Sequence, residues 1–212
     1  MKFTALGILP LLLASPVAAA TVDLVTDGGF ESGTSDNFDS DFTEVANSPG
    51  LAQFAVTTGA FGVTPRSGDY FMVINGDNNP NVDSIAWEQE VTVASGTEYT
   101  LGFSIADWSG TFPDANLSIR IGGVELLDYT VVAPSDTWVD VSTTWTSTLS
   151  GVLDFQFVEL SSGFGGNDYT LDDISLTYET DVTAPIPLPA SALLLFAGAL
   201  GLAGLKRRSL RS

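Results

Sequence analysis

The chain has neither cysteine nor histidine among its 212 residues. Lack of cysteine rules out disulfides, thiol nucleophiles and iron–sulfur clusters, and the lack of both rules out ordinary zinc and haem ligand sets. A Ser-His-Asp triad falls on the same ground. Positive charge is scarce too. Of seven Lys and Arg, only Arg66 and Arg120 lie between residues 21 and 183, where all 26 Asp and Glu fall, so that stretch carries 2 minus 26, or −24. So negative a surface repels phosphate backbones, which excludes nucleic acid as a partner. No glycine-rich phosphate loop is present. Helical periodicity is missing from the same stretch.

What the chain does have begins at its two ends. Met1-Lys2 is a minimal basic start, Phe3 to Ala14 is mostly apolar, and Ala18-Ala19-Ala20 supplies small residues. This pattern reads as a signal peptide over residues 1–20, with Ala18 and Ala20 at the peptidase site and cleavage before Thr21. At the other end, Ala184 to Leu205 gives 22 residues in which Ser191 is the only polar side chain. That length crosses a hydrocarbon layer of roughly 30 Å as a helix. Lys206, Arg207 and Arg208 follow at once as a stop-transfer cluster, which keeps the tail in the cytoplasm and the acidic body on the far side.

Ile186-Pro187-Leu188-Pro189-Ala190 precedes this helix. Pro187 and Pro189 lack an amide hydrogen and push the residues before them toward extended backbone, a form that a protease can grip. The segment 184–212 resembles the PEP-CTERM class of bacterial sorting signals: a proline motif at 186–190, a transmembrane helix at about 188–205 and a basic tail at 206–212. The motif is similar to the Val-Pro-Leu-Pro-Ala variant, with isoleucine in place of valine. The resemblance implies a membrane-embedded exosortase as processing partner. It implies a precursor held in the inner membrane with its body in the periplasm, and a mature protein at the cell surface or outside. It also implies a role beside exopolysaccharide production.

Residues 21–183 have the length of one ordinary domain. Short runs of alternating apolar residues are separated by Gly, Asn, Asp, Pro and Ser, which is the pattern of antiparallel strands. Tyr99, Leu101, Phe103 and Ile105 share one face of a strand. Leu117, Ile119 and Ile121 repeat the pattern, as do Val139, Val141, Thr143 and Trp145, and Leu153, Phe155 and Phe157. Roughly ten strands of this kind predict an all-β fold of two packed antiparallel sheets.

Three motifs recur in a telling order: Asp27-Gly28-Gly29-Phe30-Glu31, Arg66-Ser67-Gly68-Asp69-Tyr70 and Tyr169-Thr170-Leu171-Asp172-Asp173-Ile174. Together they resemble the galactose-binding-like jelly rolls found among carbohydrate-binding modules. Glu88 to Val93 followed by Gly96 to Leu101 resembles the central hairpin of that family. The resemblance implies a structural calcium with Glu31 and Asp172 as side-chain ligands and carbonyls from the Ser67 to Asp69 turn. A hard, oxygen-bound cation is the metal that this composition still admits. A second acidic run, Asp77 to Asp83, fails as an EF-hand because Val82 stands where the loop needs glycine and Glu88 reads as strand.

Sugar binders stack rings on exposed aromatics, yet most aromatics of a sandwich belong to its core. Trp87 and Trp145 are in phase with core positions. Trp108 sits where a strand pattern breaks, and is the candidate ligand platform, with Asp107 as a hydroxyl acceptor. Arg120, out of phase with Leu117 and Ile119, reads as an ion-pair partner. Two carboxylates can hydrolyse a glycoside, but nothing in the sequence places a pair across a cleft. The expectation is a non-enzymatic exported surface or matrix protein that contacts exopolysaccharide or a cell-surface glycan. The alternative is a calcium-stabilised, self-associating envelope protein without specific sugar binding.

Overall fold

A computed structural model describes residues 18–78, 83–110, 114–132, 137–160 and 167–182. The expected signal-peptide core, proline motif, transmembrane helix and basic tail lie outside the described residues, as does most of the Asp77 to Asp83 loop. Residues Thr21–Glu179 form one compact unit. Of the chain ends, which cluster separately, residues 18–20 and 180–182 are described, and there Thr180 Oγ1 donates to the Ala20 carbonyl at 3.3 Å. The expected cleavage site between Ala20 and Thr21 thus falls within the first strand.

The described residues contain strands and no helix: β1 (Ala18–Asp23), β2 (Thr43–Glu44), β3 (Gln53–Thr57), β4 (Phe71–Asn75), β5 (Ser84–Val93), β6 (Glu98–Asp107), β7 (Asn116–Ile121), β8 (Val124–Thr130), β9 (Val139–Thr146), β10 (Gly151–Glu159) and β11 (Tyr169–Val182). A seven-stranded sheet runs β2-β3-β4-β11-β6-β9, with β1 also pairing β11. A four-stranded sheet runs β5-β10-β7-β8. The period-two patterns account for this arrangement, since Tyr99, Leu101, Phe103 and Ile105 of β6 are all buried, as are Leu117, Ile119 and Ile121 of β7. The two sheets meet through aromatic edges, Phe103 of the larger sheet meeting Phe157 of the smaller at 5.0 Å and 90°, while within the smaller sheet Trp87 stands edge-on to Phe155 at 5.3 Å. Such edge-to-face pairs add about 1 kcal/mol each beyond the area they bury.

The expected β5–β6 hairpin is not formed. β5 pairs β10 in the smaller sheet, whereas β6 pairs β9 and β11 in the larger. The connection at Ala94 to Thr97 is an arch between sheets. Val91 and Val93 on one side and Tyr99 and Leu101 on the other are all buried, so each strand turns its apolar face toward the common core.

Candidate functional site

β11 is irregular where it matters. Its register with β6 slips between Asp172 and Ser175, and Asp173 takes a left-handed backbone with φ 53°. A bulge of this kind re-aims the side chains beside it. The loop after β1 lies on the bulge, with Asp27 and Phe30 also left-handed at φ 56° and 59°. Gly28 accepts from Ile174 N–H through its carbonyl at 2.9 Å, and a Cβ on Gly28 would stand 1.8 Å from the Ile174 carbonyl oxygen. Three strained non-glycine residues around one point, of order 1–3 kcal/mol each, persist only where the surroundings over-determine them.

The turn between β3 and β4 closes over this point. Arg66 N–H and Ser67 N–H donate to Asp172 Oδ2 at 2.8 and 3.2 Å, while Asp69 N–H and Tyr70 N–H donate to Glu31 at 3.0 and 3.1 Å. Ser67 Oγ donates to Asp173 Oδ1 at 2.7 Å. Asp172 is fully buried, and burial pushes its carboxyl up to about 7. The guanidinium of Arg66 turns away to a bidentate pair with Asp140 at 3.0 and 2.8 Å, which holds Asp140 below the usual carboxylate range.

Glu31, the Ser67 to Asp69 turn and Asp172 therefore lie together, the set that the resemblance to galactose-binding-like jelly rolls implies. The donor chemistry is partly that of a calcium site. Two carboxylates from opposite ends of the domain meet, with a third oxygen, Asp173 Oδ1, close to the same loop. The turn differs from expectation: it presents N–H groups to the carboxylates, not carbonyls, because amides pair strongly with carboxylate oxygens and the buried Asp172 must be met by donors. Among the described residues, no group of three or more Asp and Glu is arranged to hold a metal. A calcium ion here would have Glu31 and Asp172 as its side-chain ligands.

Trp108 and Asp107 part company. Asp107 lies in register with Tyr169 on β11 and is buried, its Oδ1 accepting Ser109 N–H at 2.7 Å and Gly110 N–H at 3.0 Å. It closes a turn, and its burial there takes it away from the role of hydroxyl acceptor. Trp108 packs with Val63, Phe71, Val73 and Trp138, a cluster apart from the core between the sheets. Its indole N–H donates to the Ile74 carbonyl at 2.9 Å, and Phe61 lies flat on its ring at 3.9 Å with 8° between the planes. Trp108 is thus half-buried with one face covered, and the ring that solvent meets is Phe61, 40% exposed. Phe61 and Gly62 are the central residues of a tight turn closed by Ala60 and Val63, with φ 52° and 90°. Phenylalanine in a left-handed turn position costs energy that asparagine or glycine would not.

At the end of the sandwich where β10 stops and β11 starts lies a polar group that sequence reasoning missed. Glu159 is buried, and its Oε1 accepts Asp77 N–H at 3.1 Å and Asn167 Nδ2–H at 2.5 Å. Among the described residues, its Oε2 and the buried Tyr169 hydroxyl have no hydrogen-bond partner. Burial pushes Glu159 up to about 8 and Asp168 up to about 6. Arg120 pairs with Asp83 at 3.2 Å. A cleft of about 410 Å³ beside β5 is lined by Asp36, Asp39, Glu88 and Glu90 and holds one ring, Phe38, which is itself packed against Phe30, Phe54 and Trp87.

No protein-family model matches the chain, and no curated protein matches it. Solved structures do. A Stig cyclase, Fisc, from Fischerella sp. TAU superposes with a TM-score of 0.56 at 15% identity, over 77% of this chain and 100% of that one. The CBM22-1 xylan-binding domain of Paenibacillus barcinonensis Xyn10C gives 0.50 at 13% identity, over 81% and 100%. The likeness is one of fold. The described body is an all-β sandwich of two sheets with a xylan-binding domain among its structural neighbours.

Proposed function

We propose that this is a non-enzymatic exported protein, sorted by an exosortase through residues 186–212, whose sandwich contacts exopolysaccharide. The observation that carries the glycan reading is the Phe61–Trp108 stack: a large ring 40% exposed, held in a left-handed turn and backed by an indole. A turn-borne ring backed by an indole in this way offers a flat apolar surface to a pyranose face. The neighbouring xylan-binding domain supports the reading as an analogy of fold. With the cyclase as a second neighbour, the non-enzymatic part leans on composition, since neither histidine nor cysteine is available as base or nucleophile.

Affinity electrophoresis through gels cast with neutral polysaccharides tests it. Retarded migration that Phe61→Ala removes is the expected result; migration unchanged by every polysaccharide overturns it. Reducing-sugar release by the purified protein would overturn the non-enzymatic part.

The clasp of Glu31, Asp172 and the turn favours a second reading, a calcium-stabilised structural protein with no specific sugar. Calcium would then join the loop after β1 to β11, closing the domain's two ends and stabilising the folded form by its binding energy.

A further inference from the structure

The two sheets end in strands that differ in how they are protected. Edge strands carry unpaired N–H and C=O groups, and proteins blunt them with charges, bulges or brevity. β8 carries Glu125 and Asp128, and its pairing with β7 slips between Ile119 and Arg120. β2 is two residues long. β9 is neither short nor bulged. Its eight residues pair β6 from Glu98↔Thr146 to Ile105↔Val139 without a register shift. Its one charged residue, Asp140, is neutralised by Arg66. Among the described residues, no strand pairs its other side.

The hydrogen-bond phase fixes which residues face outward. Ser147 N–H donates to the Thr97 carbonyl at 3.0 Å, one step beyond the Glu98↔Thr146 pair. The alternation of an antiparallel ladder then points the backbone groups of Val139, Val141, Thr143 and Trp145 at β6 and leaves those of Asp140, Ser142, Thr144 and Thr146 outward. The side chains of these four are exposed, whereas Val139, Val141, Thr143 and Trp145 are only half-buried although their side of the sheet faces the core. An apolar row at a sheet edge stays half-wet when no further strand covers it.

We infer that β9 pairs antiparallel with β9 of a second copy, about a two-fold axis at Thr143, joining the two seven-stranded sheets into one. This register is self-complementary at every level. Outward-facing residues pair, Asp140 with Thr146 and Ser142 with Thr144, so every pair exchanges main-chain hydrogen bonds. No carboxylate opposes a carboxylate, and hydroxyls face hydroxyls. On the inner side, Val141 of each copy meets Trp145 of the other, which completes the burial that β9 lacks alone. Moving the register so that Asp140 opposed itself would set two charges against each other. Both copies are strongly acidic, so the association strengthens as salt screens their repulsion. This inference goes beyond the glycan reading and does not rest on it, since neither Phe61 nor Trp108 belongs to β9.

The absence of cysteine makes the test clean. In the full chain, Thr143→Cys places the thiol of one copy opposite its own symmetry mate, in a non-hydrogen-bonded pair with Cβ atoms about 5 Å apart. Mild oxidation should give a disulfide-linked dimer on a non-reducing gel, and the yield should rise severalfold between low and moderate salt. Val152→Cys, 60% exposed on β10 in the other sheet, should stay monomeric. Adding Thr144→Asp, whose side chain is exposed, should cut the Thr143→Cys dimer at least tenfold with an unchanged far-ultraviolet spectrum. Absence of the Thr143→Cys dimer, equal dimer from Val152→Cys, or indifference to Thr144→Asp would each overturn the pairing. Glycan retention by the same variants is a separate readout and stands or falls independently.

Discussion

Glu31 and Asp172 are gripped by successive halves of one turn, Asp172 by the amides of Arg66 and Ser67 and Glu31 by those of Asp69 and Tyr70. The two carboxylates come from near opposite ends of the domain's sequence, so the turn acts as a clasp between the loop after β1 and β11. Asp172 is fully buried and also accepts Asp173 N–H at 2.8 Å. Asp172→Ala leaves these amides without an acceptor, and should cost about 3 kcal/mol in urea unfolding. Glu31→Ala, at an exposed position, should cost about 1 kcal/mol. Equal losses would show that Asp172 is not the anchor. Calcium is tested on the same variants: saturating ion at about a hundredfold over Kd should add about 2.7 kcal/mol to the natural protein and nothing to Asp172→Ala.

Gly28 makes a different kind of contact with the same strand. Any Cβ there would sit 1.8 Å from the Ile174 carbonyl oxygen, and a backbone atom in a bulged strand has little room to give. Gly28→Ala should therefore lower the melting temperature more than Gly96→Ala, where nothing lies within 4 Å but the backbone is left-handed at φ 84°. The left-handed penalty at Gly96 is about 1 kcal/mol. The clash at Gly28 should exceed 3 kcal/mol, and a comparable melting loss for both variants would contradict the close approach.

Glu159 makes the domain's stability depend on pH in an unusual direction. Its ordinary value of 4.5 is raised to about 8 by burial. Between those values the folded chain keeps a proton that the unfolded chain has lost, so stability is greatest below pH 4.5 and falls as pH rises toward 8. Asp168 and Asp172, raised from 3.8 to about 6 and about 7, act in the same sense over narrower windows. Glu159→Gln keeps an oxygen acceptor for Asp77 N–H and removes the buried charge. It should flatten the upper part of the profile and raise stability at pH 8 by on the order of 3 kcal/mol. A profile of unchanged slope between pH 6 and 8 would remove Glu159 from this role.

Legibility in the sequence followed locality. The strand faces through Tyr99 to Ile105 and Leu117 to Ile121 were readable because alternation is a property of neighbours. The meeting of Glu31, the Arg66 to Tyr70 turn and Asp172 is implied by the resemblance to galactose-binding-like jelly rolls and by no local pattern. What stayed hidden depends on backbone direction or on distant pairing. Nothing local signals that Asp173 turns left-handed, or that the turn offers amides and not carbonyls. The β5–β6 arch looks like a hairpin in sequence, because the alternation says which side of a strand is apolar and not which sheet the strand joins. Glu159 and Tyr169 belong to different sheets, so their proximity has no sequence period at all. Phe61 lies in a segment without periodicity and owes its exposure to a tight turn.

Phe61 and Trp108 separate binding from stability. Phe61 is the outer ring of the stack, and its left-handed φ of 52° is a cost borne by the folded state. Phe61→Asn puts a residue tolerant of that backbone in the same turn, so it should leave stability within about 0.5 kcal/mol of the natural protein while abolishing retention by polysaccharide gels. Trp108 is the inner ring, with its N–H on the Ile74 carbonyl and its body against Val63 and Val73. Trp108→Ala should abolish retention too, but at a cost of about 3 kcal/mol from the lost packing and the lost hydrogen bond. Trp108→Phe keeps most of the stacking surface and loses only the N–H, and should retain binding with a loss of about 1 kcal/mol. Retention that survived Phe61→Asn would place the sugar elsewhere on the sandwich.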